Sequence, residues 1–148
     1  RFNQLRRKSV IIDGDVVRST VNKRLGFSRE DIKENNRRIA ILAKEKSADF
    51  DFVLIPVIAP FKEDRLMARS IIGDNFVEIF VDAPIEICGE RDPKGLYKKA
   101  LAGEIKNFIG LSSNHPYEVP EKPDLHLRTH EISIDECVER ILKHPKLI

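Results

Sequence analysis

Two carboxylates and a guanidinium stand close together early in the chain: Asp13 and Asp15 flank a glycine, and Arg18 follows about one helical turn on. They come directly after the apolar run Val10-Ile11-Ile12. If that run is a strand of an open parallel sheet, the three side chains fall beyond its carboxyl end, where such sheets gather ligands. Two carboxylates and an arginine there can hold a metal-bound phosphate, take a proton from a hydroxyl and neutralise charge. The plainer alternative is local. An aspartate before a helix caps free backbone amides, and a glycine permits the turn. A second polar run, Glu90-Arg91-Asp92-Pro93-Lys94-Gly95-Leu96-Tyr97, follows the third apolar run and its helix. Arg91 and Lys94 have the charge to clamp phosphates, although the helix dipole favours a basic residue near a C-terminus in any case.

The elements that must position these residues read as alternating strand and helix. Ser9 to Asp13, Phe52 to Ile58 and Phe76 to Asp82 are nearly continuous in apolar character, as strands covered on both faces are, and Leu125 to Leu127 is a fourth. Ser28 with Asp31 predicts a capped helix start, after which Ile32, Ile39, Leu42 and Ala43 recur at near-helical spacing. Lys62 to Ile72 predicts a second helix with Leu66, Ala68 and Ile71 inward. Ser133 to Leu142 predicts a third, carrying Ile134, Cys137, Val138 and Ile141. The alternation implies one α/β domain over residues 1–148, a mainly parallel sheet flanked by helices. The segment from Gly103 to Pro123 breaks the rhythm with Asn107, Gly110, Ser112, Ser113, Asn114 and three prolines, and reads as a lid.

Composition narrows the partners. A net charge of +2 is too small to imply nucleic acid, and Arg6-Arg7-Lys8 reads as a solvated helix end. No apolar stretch approaches the ~20 residues of a membrane span, and the opening Arg-Phe-Asn-Gln has no signal-peptide core. Cys88 and Cys137 lack metal or framework spacing and read as buried packing thiols, which suits a reducing, cytoplasmic setting.

Seven blocks occur in order along the chain: Asp-Gly-Asp-x-x-Arg (13–18), Leu-Gly-Phe-Ser (25–28), Glu-Asn-x-Arg-Arg-Ile-Ala (34–40), Ile-Ala-Pro-Phe-x-x-Asp-Arg (58–65), Arg-Asp-Pro-Lys-Gly-Leu-Tyr-Lys-Lys-Ala (91–100), Gly-Glu-Ile-Lys-x-Phe-x-Gly (103–110) and Tyr-Glu-x-Pro (117–120). In this order and spacing they resemble the adenylylsulfate (APS) kinases, and the resemblance runs from about Ser9 to Leu142. It implies a P-loop kinase fold with a lid. The implied reaction moves the ATP γ-phosphate to the 3′-hydroxyl of adenylylsulfate, giving ADP and 3′-phosphoadenylylsulfate, the activated sulfate donor of sulfate assimilation. Magnesium would accompany ATP, with Asp13 nearest the metal and the reacting hydroxyl. By the same resemblance Asp15 and Arg18 would contact adenylylsulfate, and Phe27 and Phe108 would sandwich its adenine. Asn35, the Ile58–Ala59 backbone, Lys94 and Asn107 would complete the pocket.

Asp13, Asp15 and Lys94 are the expected catalytic residues, with Asp13 and Asp15 left as alternatives for the base. Arg91, Thr129 and Ile132 are the expected ATP side. The partners implied are ATP and adenylylsulfate, neither nucleic acid nor membrane, with room for a homodimer and for association or fusion with ATP sulfurylase. Residue chemistry agrees with the sandwich, because adenine offers two π faces and each stack contributes ~1–3 kcal/mol. Phe27 can instead be a hydrophobic staple. Phe108, amid polar lid residues, has little core to enter.

Two departures accompany the resemblance. The family's Gly-x-x-Gly-x-Gly-Lys-Ser/Thr loop lies N-terminal to Asp-Gly-Asp, whereas here Arg1 to Lys8 read as the tail of the helix after that loop. The expectation is a truncated sequence, inactive as residues 1–148 alone, since no loop amides or lysine cradle the phosphates. The alternative is a P-loop-less pseudokinase that binds a nucleotide or a partner such as ATP sulfurylase. A kinase for gluconate or a nucleoside fits the fold but gives Phe27, Phe108 and the Lys-Gly-Leu-Tyr block no purpose. Second, Ile32 stands where the family usually has an arginine on the phosphosulfate side. Lys33 points about 100° away on a helix, so the expectation is either weaker affinity for adenylylsulfate or an anion held by Arg18 and Arg38 instead.

Overall fold

The computed structural model describes residues 1–105, 108–111 and 116–147. It comprises two compact units, Arg1–Phe76 and Val77–Ile148.

In the first unit, strand β1 (Ser9–Ile11) runs parallel to β2 (Phe52–Leu54), with Ser9 opposite Phe52 and Ile11 opposite Leu54. Both are shorter than their apolar runs. One further bond, Ile12 N to Leu54 O at 2.8 Å, extends the ladder; beyond it Asp13 turns the chain into helix α1 (Gly14–Ser19), and Pro56 has no amide to donate. Helix α2 (Arg29–Lys46) starts where Ser28 accepts from Asp31 N at 3.1 Å, and it buries Ile32, Asn35, Asn36, Ile39, Ala40 and Ala43 along one face. Ile12, Val17, Ile39 and Ala43 form the core, closed by Leu42, Val53, Ile55, Val57 and Ile72. The chain before β1 makes a helical turn that ends at Arg6 with φ 55°, Arg7 N returning to Phe2 O at 3.0 Å. That left-handed closure resembles the way a helix ends, although residues 2–6 form turns and no helix.

Helix α3 (Lys62–Ile72) spans the predicted residues, but its inward face differs. Leu66 is 55% exposed, and the buried residue is Asp64. Arg29 grips that carboxylate with Nη1 at 3.0 Å and Nη2 at 2.8 Å, and Asn36 Nδ2 adds a bond at 3.2 Å. The Arg29 guanidinium also lies 4.2 Å from the centre of the Phe61 ring. A carboxylate so paired can be buried. With Asp64 inward, 100° per residue brings Met67, Ala68 and Ile71 in with it and turns Leu66 about 200° away.

In the second unit, β3 (Ile79–Asp82) runs parallel to β4 (Leu125–Arg128), Ile79 opposite Leu125 and Asp82 opposite Arg128. Phe80, Leu127 and Cys137 are buried. Helices α4 (Ile85–Arg91), α5 (Leu96–Leu101) and α6 (Ile134–Leu142) follow the strands, α6 capped by Ser133 accepting from Glu136 N at 3.2 Å. Ile134, its first residue, is exposed, and Cys88 is half-buried rather than fully packed. With both strand pairs parallel and helices flanking them, the predicted fold class stands. Among the described residues no helix is long and apolar enough to cross a membrane.

Candidate active site

In the first unit the site is built on α1 and the start of α2. Asp13 is the N-cap of α1: Oδ1 accepts from Asp15 N at 2.8 Å and from Val16 N at 3.1 Å. The local role foreseen for this residue is therefore real, and it engages one of its two oxygens. Gly14 is required by space rather than by a special turn. A Cβ there would sit 2.8 Å from Val57 Cγ1, closer than atoms pack. Asp15 is exposed in the first turn of α1.

Arg18, one turn on, donates from Nη1 to Gly26 O at 2.7 Å and lies 4.5 Å from the centre of the Phe27 ring. Burial lowers its pKa, partly offset by the carboxylates of Asp31 and Asp15, and it remains a cation. Phe27 is 55% exposed, too open for a staple and placed for an aromatic or cationic contact.

Behind them lies a polar relay that sequence reasoning missed. Asn35 is 5% exposed and accepts at Oδ1 from Asn22 Nδ2 at 3.0 Å. Asn22, itself 1% exposed, accepts at Oδ1 from Arg38 Nη1 at 3.2 Å. Arg38 Nε in turn donates to Glu34 Oε1 at 2.7 Å, and Arg37 holds the other Glu34 oxygen. Hydrogen bonds from Arg37 and Arg38 pull the Glu34 pKa down to about 2. Ile32 is buried in the α2 face and Lys33 pairs with Glu63, so neither offers an anion contact. Ile58 is exposed, and Ala59 sits at φ 36°, a region alanine rarely adopts, with its carbonyl accepting from Arg65 Nη1 at 2.9 Å.

In the second unit, Arg91 and Thr129, both assigned from sequence to the ATP side, are in contact. Arg91 Nη1 reaches Thr129 Oγ1 at 3.1 Å, and Nη2 reaches Thr129 O at 2.7 Å. Thr129 N and Oγ1 both donate to Asp82 O, at 2.8 and 3.0 Å, which fixes the group at the carboxyl ends of β3 and β4. Ile132 belongs to the same turn, its N bonded to Arg128 O at 3.3 Å. Asp92, between Arg91 and Lys94, starts α5. It accepts from Tyr97 N at 3.1 Å and Lys98 N at 3.0 Å. Burial alone would raise its pKa, but the backbone amides of Lys98, Tyr97, Leu96 and Gly95 outweigh that and lower it. Lys94 is exposed on the turn that Asp92 anchors.

Phe108 does have packing: its ring meets Tyr97 edge-on, centroids 4.8 Å apart at 66°, and it is half-buried. The flanking glycines Gly103 and Gly110 take φ 77° and 86°, the left-handed region. Asn107 lies outside the described residues. Among those residues no group of three or more His, Cys, Asp or Glu gathers for a metal.

Parallel strands running into helices, with polar residues grouped beyond the carboxyl ends, define an α/β fold. Comparison with known proteins carries this further. The profile of the family described as Adenylylsulphate kinase matches residues 1–128. The adenylyl-sulfate kinase of Clostridium acetobutylicum is 47% identical over 137 residues, 92% of this chain and 67% of that protein. The bifunctional enzyme NodQ of Rhizobium sp. (strain N33) is 48% identical over 136 residues, 91% of this chain but 21% of the enzyme. The structure of the Mycobacterium tuberculosis APS kinase CysC in complex with AMPPNP and APS superposes with a TM-score of 0.89 at 40% identity, covering 95% of this chain and 82% of that one. The chain belongs to the adenylylsulfate kinase family, ATP-dependent phosphotransferases of sulfate assimilation. It spans about two thirds of the length of the single-function kinases it matches, 67% and 66% in two of them.

Proposed function

We propose that the protein transfers the γ-phosphate of ATP to the 3′-hydroxyl of adenylylsulfate. The observation that carries this reading is the likeness, over 95% of the chain, to a kinase solved with AMPPNP and APS. The 3′-oxygen attacks the γ-phosphorus, the bond from that phosphorus to the bridging oxygen of ADP breaks, and the hydroxyl proton passes to a carboxylate, Asp13 or Asp15. Asp13 suits a post beside the metal and the hydroxyl: two amides fix Oδ1 and so orient Oδ2. Held by Asp13 and the ATP phosphates, magnesium would supply charge neutralisation for the moving phosphoryl group.

Arg18 and Asp15 bind adenylylsulfate, and Phe27 and Phe108 each offer a ring to its adenine. Asn35, Asn107, the Ile58–Ala59 backbone and Lys94 complete the substrate contacts. The phosphosulfate charge falls to Arg18, because Arg38 is already committed to Glu34 and Asn22. Arg91, Thr129 and Ile132 serve ATP, and Lys94 stabilises the transferring group. Residues 1–148 read as one kinase domain with 103–123 as its lid, in a cytoplasmic protein. A homodimer and association or fusion with ATP sulfurylase belong to the same reading, the latter supported by the bifunctional relatives.

The test gives the full-length protein containing these residues MgATP with adenylylsulfate, gluconate or adenosine in turn. We expect 3′-phosphoadenylylsulfate from the first only. Phosphorylation of gluconate or adenosine, with none of adenylylsulfate, would overturn the reading.

A further inference from the structure

We propose that Asn22 and Arg38 are positioning residues that lock the Asn35 amide with its NH₂ group toward adenylylsulfate. The inference rests on the reading above that this site holds that substrate. A side-chain amide has one accepting end and one donating end, and which end faces the ligand decides what it can bind. Here the choice follows by elimination from a group that can only donate. The Arg38 guanidinium has no acceptor, so the Asn22 atom 3.2 Å from its Nη1 is the oxygen. The Asn22 nitrogen is then the atom that faces Asn35 at 3.0 Å, and Asn35 must answer with Oδ1. Its Nδ2, with two hydrogens to give, is left pointing out of the relay.

That nitrogen has no protein acceptor among the described residues, although the side chain is 5% exposed, and it is not sealed from solvent. A nearly buried donor without a partner is uncommon in a folded protein and invites a ligand acceptor. Adenylylsulfate presents acceptors in plenty: the phosphosulfate oxygens, the ring nitrogens of the purine and the ribose oxygens. With the amide turned over, Oδ1 would meet these acceptors instead, losing a hydrogen bond and adding repulsion between lone pairs.

The relay is anchored at both ends. Asn22 is held by its backbone, N to Val17 O at 2.9 Å and O from Leu25 N at 2.9 Å. Arg38 is held by Glu34, which the two arginines keep ionised down to about pH 2. No part of the relay other than Asn35 needs to touch the substrate.

The test uses the full-length protein and steady-state kinetics with each substrate varied in turn. Asn22→Asp keeps shape and accepts from Arg38 more strongly, but it cannot donate to Asn35. Asn35 then turns to give Nδ2 to the new carboxylate and shows Oδ1 to the substrate. We expect the KM for adenylylsulfate to rise ~10-fold or more, with the KM for ATP, kcat and the melting temperature essentially unchanged. A merely structural role would not split the two KM values. Arg38 is largely exposed, so Arg38→Met tests the same idea without burying a charge. It should raise the same KM by a smaller factor, and Arg38→Lys, which still donates, should restore it. Wild-type protein that turns over adenylylsulfate while Asn22→Asp keeps its KM would overturn the relay alone. If Asn22→Asp does not fold, an unchanged KM in Arg38→Met overturns it. Wild-type protein with no turnover of adenylylsulfate overturns instead the reading of the site.

Discussion

Asp13 is both a helix cap and the proposed metal and proton-transfer residue, and two substitutions separate those roles. The cap consists of two bonds to one oxygen, 2.8 Å from Asp15 N and 3.1 Å from Val16 N. Asn keeps that oxygen and ranks with Asp as a cap. Asp13→Asn therefore forfeits only the attraction of a charge for the helix N-terminus, ~0.3–1 kcal/mol for an exposed residue. Asp13→Ala forfeits both bonds as well, about 1–2 kcal/mol in total. Proton transfer by a placed carboxylate contributes ~10²–10⁴-fold, so either substitution should lower turnover at least ~10²-fold, about 2.7 kcal/mol of barrier. The assay pairs a urea melt with a coupled measurement of kcat at saturating MgATP, on the full-length protein. The expected pattern is graded stability, wild type above Asn above Ala, with activity collapsed equally in both variants. Activity that follows stability, with Asp13→Asn close to wild type, would show that the carboxylate only caps α1.

Two further outcomes follow from contacts seen here. Phe108→Ala should weaken adenylylsulfate binding by ~1–3 kcal/mol, roughly 5- to 150-fold, and leave ATP binding alone. Its stability loss should combine the ~0.5–1.5 kcal/mol of an aromatic pair with the burial of part of a ring, and stay below that of a core phenylalanine, since the ring is half-buried beside Tyr97. Calorimetry with each nucleotide plus a melt decides; a full core-sized loss of ~3–5 kcal/mol with binding intact would make the ring structural. Glu34→Gln tests the pH dependence. The folded pKa of about 2 lies below the ~4.3 of a free glutamate, so the charge stabilises the fold above that value and stops doing so as pH falls through about 2. The stability gap between wild type and variant should be present at neutral pH and close between those two values. A gap that does not change with pH would mean the Arg37 and Arg38 bonds carry none of it.

What the sequence disclosed was what short-range rules govern. Ser28 and Ser133 announce helices because a hydroxyl meets the amide three residues on. The strand runs announce themselves by unbroken apolar character, although Pro56 cut the second one short. Hidden features depend on partners far along the chain. Apolar period alone puts Leu66 inward, because nothing near Asp64 shows that Arg29, 35 residues earlier, will grip it. Asn22 gave no signal, its partners lying 13 and 16 residues away. Helix α5 has six residues, too few to show a period, and it starts from Asp92, which lies between the two cations, Arg91 and Lys94, that had suggested phosphate chemistry.

Ile32 of α2 stands where the resembled family usually has an arginine. Buried at 3% exposure, it is a packing residue and offers no anion contact. The neighbouring cations of α2 are already used: Arg29 on Asp64, Lys33 on Glu63, and Arg37 and Arg38 on Glu34. Each would have to leave a carboxylate to take up a substrate anion, exchanging one ion pair for another at little net gain. Arg18 is different in kind. Among the described residues its close contacts are a carbonyl and an aromatic face, while the charges of Asp31 and Asp15 act on it coulombically. A phosphosulfate could therefore approach Arg18 without displacing an ion pair, beside the exposed ring of Phe27. In the proposed site one arginine of α1 would thus carry the phosphosulfate charge, beside the Phe27 ring on which it stacks.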